Sequence, residues 1–101
     1  MSYFSCFIYS RRNHYKHYFN SSVSKSWIGQ TVRLNCVSNG APTPPLSWYT
    51  PEGANLKKVK ANQNTVDVKM NSDEDFGLYN CTAENGFVPN SRTVRVLQIS
   101  R

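Results

Sequence analysis

Acid is scarce in this sequence: six Asp and Glu stand against twelve Lys and Arg, leaving a net charge of +6. The surplus is divided. Residues 1–21 hold Arg11, Arg12 and Lys16 with no acid, and residues 22–101 hold the other nine basic residues with all six acids. So mild a balance gives no reason to expect a nucleic-acid partner and slightly favours an acidic polysaccharide or an anionic protein surface. Long apolar runs are missing too. The longest early cluster, Tyr3 to Tyr9, is too short to cross a membrane, so any membrane association is expected through further parts of a longer chain. The order of a secretion signal is also absent, because here the apolar cluster precedes Arg11-Arg12.

Histidine is nearly absent. His14 and His17 both precede residue 22, and with Cys6 they make three metal-ligand candidates where a zinc site wants four. No metal and no cofactor are expected. A Ser–His–Asp or Cys–His pair cannot be assembled within residues 22–101, and no glycine-rich loop is present to cradle a phosphate. Asp75-Phe76-Gly77 spells a kinase magnesium motif, but its companion motifs are missing from a chain far too short for that fold. Asp73-Glu74-Asp75 lacks the oxygen-rich loop that calcium requires. The reading is a binding module, not an enzyme.

No window carries a helical apolar stripe. Instead, from Ser22 onward, short alternating segments are punctuated by Gly, Pro and Asn. Val32, Leu34 and Cys36 share one face, with Arg33 and Asn35 on the other. Gly40 to Pro45 breaks the pattern, since proline has no N–H for a ladder. Leu46 and Trp48 then point inward. Lys57 to Asn64 is polar, and its Lys57, Lys58 and Lys60 suit a protected edge strand. Val66, Val68 and Met70 point inward, as do Tyr79, Cys81 and Ala83. In Thr93 to Ile99 both parities are apolar, so the inward set is undecided. About seven strands at such spacing predict a β-sandwich. Residues 1–21 are expected to be a tail, disordered or the edge of a gene model, and residues 22–101 the domain.

The inward positions of Cys36, Trp48, Tyr79 and Cys81 carry a resemblance. Gly29 to Cys36, then Gly40-Ala41-Pro42-Thr43-Pro44 followed by Leu46-Ser47-Trp48, then Asp75-Phe76-Gly77-Leu78-Tyr79-Asn80-Cys81 with Ala83 and Asn85, resemble the motifs of immunoglobulin domains in order and spacing. The resemblance implies an all-β, two-sheet Greek-key sandwich with a Cys36–Cys81 disulfide between the sheets. It also implies a core signature of Leu34, Trp48, Asp75, Gly77 and Tyr79. Variable-type domains add two strands between the cysteines, so a separation of 45 points to the I-set or a related short type. Such a bridge contributes about 4 kcal/mol at most in the chain-entropy model. Two departures stand out. The family's corner Asp usually pairs with an Arg, and here Lys57, Lys58 or Lys60 is its candidate partner. The apolar slot before that corner holds Asn71, with Met70 expected to fill the space.

Asn20 and Asn80 head glycosylation sequons, Asn20-Ser21-Ser22 and Asn80-Cys81-Thr82. Arg33, Lys57, Lys58, Lys60, Lys69 and Arg95 are candidates for one basic face, read either as a heparan sulfate site or as edge protection and solubility. The resemblance implies an extracellular or cell-surface recognition or adhesion module of a longer protein. Its protein partners, homophilic or heterophilic, would meet a sheet face or the loops at Gly40–Pro45 and Asn85–Asn90. The alternatives are a structural domain of a cytoplasmic, sarcomere-like giant protein, with reduced cysteines, and a secreted heparan-sulfate-binding or immune recognition module.

Overall fold

The computed structural model describes residues 4–10, 22–38, 43–84 and 90–100. Among these residues, eight strands form two sheets: β1 (Phe4–Ser10), β2 (Ser22–Ser26), β3 (Thr31–Ser38), β4 (Pro45–Tyr49), β5 (Asn55–Lys60), β6 (Gln63–Lys69), β7 (Gly77–Ala83) and β8 (Asn90–Gln98). A single 3-10 turn, Asp73–Asp75, lies between β6 and β7. One sheet has the order β1-β3-β6 and the other β2-β8-β7-β4-β5. Every pairing is antiparallel except β2 with β8.

Period-two burial makes this a sandwich. Val32, Leu34 and Cys36 of β3 face Leu46, Trp48, Tyr79 and Cys81 of the five-stranded sheet, and all are buried. The undecided parity of the last strand is resolved by its partner: buried Tyr79 lies opposite Val94, so Val94 and Val96 turn inward and Arg95 and Leu97 outward. Met70 is fully buried and Asn71 exposed, as the departure at that corner required.

For residues 4–10 the structure differs from the expected tail. Residues 4–10 form β1, in register along β3 from Phe4↔Ser38 to Ser10↔Val32, and Cys6 and Ile8 enter the core. An alternation of buried residues two apart, at the edge of a sheet, was hidden by aromatics at both parities.

The short cysteine spacing also has a structural cause. Only Ala61 and Asn62 separate β5 from β6, yet these strands belong to different sheets. The chain passes directly from one layer to the other, with no strand between them of the kind the family places there. Lys57, Lys58 and Lys60 lie on β5, an edge strand, where cationic side chains oppose edge-to-edge association.

Candidate binding surface and its disulfide core

Cys36 and Cys81 form a disulfide between the two sheets, with their Cα atoms 6.6 Å apart. Trp48 is the register partner of Cys81, and its Nε1 donates to Asn64 O at 2.9 Å. A buried indole N–H needs such an acceptor. Tyr79 Oη donates to Asp75 O at 2.5 Å, closing the corner before β7. Burial, and then the Asp75 charge, push the Tyr79 phenol up to about 12.

Asp75 does not find the lysine partner expected for it. Its Oδ2 accepts from the backbone N–H groups of Asn71 at 2.7 Å and Ser72 at 3.0 Å, so the carboxylate caps the 3-10 turn. Lys57 instead sends Nζ to Thr65 O at 3.1 Å. The reason is the direct β5–β6 crossing, which leaves no cation-bearing strand beneath the corner.

That crossing assigns a role to Asn64 that sequence reasoning missed. Asn64 is 1% exposed. Its Nδ2 donates to Leu46 O at 2.9 Å and to Lys57 O at 3.0 Å, so one β6 side chain is tied to β4 and β5 of the opposite sheet. Its Oδ1 has no hydrogen-bond partner. The available signal was parity: Asn64 continues the inward series of Val66 and Val68.

The six basic candidates do not share one face. Arg33 and Lys69 lie on the three-stranded sheet, and Lys57, Lys58, Lys60 and Arg95 on the five-stranded one. Arg33 is further neutralised by Asp67, with Nε to Oδ1 at 2.7 Å and Nη2 to Oδ2 at 3.0 Å. Lys58 and Arg95 belong to the same sheet, but β4 and β7 stand between their strands. Strand order therefore scatters charges that lie close in a list.

A different surface is continuous. Val23, Arg95 and Leu78 are register partners across β2, β8 and β7, and Lys25 pairs with Leu97 in the next row. Val23, Leu78 and Leu97 are 57%, 46% and 38% exposed. Exposed apolar side chains thus gather around an arginine on the outer face of this sheet. Asn80 lies on the same outer face, half-buried, opposite Thr93 and Tyr49. Its Oδ1 accepts from Ser91 Oγ at 3.0 Å. Asn20, His14, His17 and most of the two candidate loops, 39–42 and 85–89, lie outside the described residues.

The third cysteine, Cys6, lies beside the bridge: the Sγ atoms of Cys6, Cys36 and Cys81 are all within 4.8 Å of one another. With two of the three joined, they do not make a set of thiolate ligands. Burial pushes the Cys6 thiol up to about 12, against the opposing pull of the Arg92 charge.

Comparison with known proteins places this geometry. Human leucine-rich repeat and immunoglobulin-like domain-containing nogo receptor-interacting protein 2 is 35% identical over 63 residues, which are 56% of this chain and 10% of that protein. Neural cell adhesion molecule L1 of Takifugu rubripes is 36% identical over 61 residues, 56% of this chain and 5% of its own length. Lachesin of Drosophila melanogaster is 37% identical over 60 residues, 57% of this chain and 17% of its own length. The chain thus spans less than a fifth of each of these relatives. Among solved structures, the M1 domain from titin superposes with a TM-score of 0.65 at 15% identity, covering 97% of this chain and 94% of that one. The four N-terminal Ig domains of Dscam1 isoform 6.9 give 0.66 at 16%, covering 95% and 21%; at such identity these likenesses establish the fold. The family model for the immunoglobulin domain matches residues 17–85. Since that match runs from before β2 to just past the end of β7 and takes in most of the chain, the chain belongs to the immunoglobulin domain family.

Proposed function

We propose that this chain is a recognition module of an extracellular or cell-surface protein, and that it takes a protein partner on the outer face of its five-stranded sheet. The observation that carries the reading is the row Val23–Arg95–Leu78, with Leu97 beside it: apolar side chains held outward by strands whose alternate residues are fixed in the core. Burying such side chains returns roughly 25 cal/mol for each Å² of apolar surface removed from water, and an arginine among them adds directional pairing with a carboxylate or carbonyl of the partner. The buried disulfide fits an oxidising compartment, and relatives named as a neural cell adhesion molecule and a receptor-interacting protein agree with that setting. The titin likeness at 15% identity extends to the fold alone.

The test uses the disulfide-intact chain on beads, presented at micromolar concentration to itself and to a panel of intact cells. Binding is expected, lost in the double variant Leu78→Asp/Arg95→Glu, and kept in Lys58→Glu at the far edge of the same sheet. Absence of binding to either target, or binding indifferent to the double variant, refutes the proposal.

A further inference from the structure

Three sulfurs meet in the core of this domain, and the bridge uses two. Cys6 on β1 is the register partner of Cys36 on β3, both are buried, and all three Sγ atoms lie within 4.8 Å of one another. Cys6 remains a thiol outside the Cys36–Cys81 bond. A thiol held beside a disulfide is a reactant for interchange, which proceeds by thiolate attack on a disulfide sulfur. We propose that Cys6 is a resident exchange partner of the core disulfide, so that the folded domain holds two interconverting bridges, Cys36–Cys81 and Cys6–Cys81.

The step balances within the chain. Cys6 gives up its proton, its Sγ attacks Cys81 Sγ, the Cys6–Cys81 bond forms, and the Cys36–Cys81 bond breaks. Cys36 leaves as the thiolate and takes up a proton. One disulfide and one thiol stand on each side, so no oxidant or reductant enters. Attack at Cys81 is the productive direction because of the sheet order. Cys6 and Cys36 both belong to the three-stranded sheet and Cys81 to the five-stranded one, so the product still staples the two layers. Attack at Cys36 would join two neighbouring strands of one sheet and release the layers from each other.

The same burial sets the control. With its thiol pushed up to about 12, Cys6 is protonated while β1 is docked, and reaction waits on fluctuations of that strand. β1 is the edge of its sheet, where local opening costs least. Once formed, the Cys6–Cys81 bridge ties β1 covalently to the opposite layer, so the position of the disulfide decides whether the N-terminal strand can leave the sandwich.

The experiment equilibrates the wild-type chain at neutral pH, quenches it in acid, unfolds it there, and labels thiols with dithiodipyridine, which reacts in acid where interchange is halted. Peptide mapping is expected to find label on both Cys6 and Cys36 and none on Cys81. Cys36→Ala, refolded in glutathione buffer, is expected to form Cys6–Cys81 and lose its labelled thiols. Label confined to Cys6 in the wild-type chain overturns the proposal, as does label on Cys81. A Cys36→Ala chain that still carries two labelled thiols overturns it as well.

Discussion

Asn64 offers the sharpest test of how the two layers are joined. Asn64→Ala removes the donors to Leu46 O and Lys57 O. Asn64 is fully buried, as is Leu46; the Leu46 carbonyl keeps its place in the β4–β5 ladder opposite Val59, and losing the amide bond to it costs about 0.5–1.5 kcal/mol. The bond to Lys57 O is only part-buried, and losing it costs about 0.5–1.5 kcal/mol because water can replace the donor. Removing the unpartnered Oδ1 returns part of this. The net expectation is a loss of about 1–2 kcal/mol, or roughly 4–16 °C in Tm for a domain of this size. Asn64→Asp separates donor loss from mere truncation. It places a carboxyl against two carbonyl oxygens in a buried site, which raises its folded pKa above the unfolded value. Its relative stability is therefore best in acid, where a protonated oxygen can donate, and is lost as pH rises. At neutral pH Asn64→Asp should be less stable than Asn64→Ala, with the gap closing on acidification. Urea denaturation of the three proteins across pH, with the exposed Gln63→Ala as control, reads this directly. An Asn64→Ala loss below about 0.5 kcal/mol, the range of ordinary surface substitutions, refutes the tie.

The remaining predictions concern the corner and the sequon. Tyr79 titrates at about 12 rather than its usual 10.0. The raised folded value means its contribution is complete below pH 10 and lost as pH climbs toward 12. Tyr79→Phe should start about 1 kcal/mol less stable at neutral pH and show a shallower fall than wild type across that alkaline window, read by urea titration. Gly77→Ala places a side chain at φ +137° with its Cβ 3.2 Å from Pro51 Cβ, and should cost about 1–3 kcal/mol in thermal unfolding. Secretion of the chain from a eukaryotic host should yield a glycan on Asn80, seen as an amidase-sensitive mass shift that Thr82→Ala abolishes; an unshifted Asn80 peptide refutes it.

What could be read from residues alone follows from where burial is one-sided. Val32, Leu34 and Cys36 alternate cleanly because one face of β3 meets the opposite sheet, and such alternation needs no partner strand to be seen. The bridge and the tyrosine corner came from motifs whose spacing the fold fixes. β8 could not be oriented, because Val94 and Val96 face the core while Leu97 and Ile99, of the opposite parity, are exposed; only pairing with β7 decides between them. β1 was missed because its meaning lies in a register with β3 some thirty residues away. Asn64 was missed for a related reason. A buried amide satisfied by carbonyls of another sheet has the sequence appearance of a solvated one, and the direct crossing that creates its environment is a property of chain path. The contact face was invisible too: Val23 and Leu78 lie far apart along the chain and meet only through Arg95 between them.

The outer face sets two of these proposals against each other. Asn80 stands on β7 two residues after Leu78, roughly 7 Å along the strand, and Ser91 holds its Oδ1, so a sugar on Nδ2 would project from the middle of the sheet beside the Val23–Arg95–Leu78 row. A glycan there excludes a partner whose contact area must extend well past that row, since a specific interface buries about 800 Å² on each side. The two states are alternatives for one surface, and the sequon's occupancy chooses between them. An Asn80-glycosylated chain should bind weakly through this sheet and regain binding in Thr82→Ala, which removes the sequon while leaving Leu78 and Arg95 in place. The opposite sheet offers no equal substitute among its described residues, because its most prominent charges, Arg33 and Asp67, already neutralise each other. Glycosylation at Asn80 would therefore act as an on–off control of recognition rather than as decoration of an inert face.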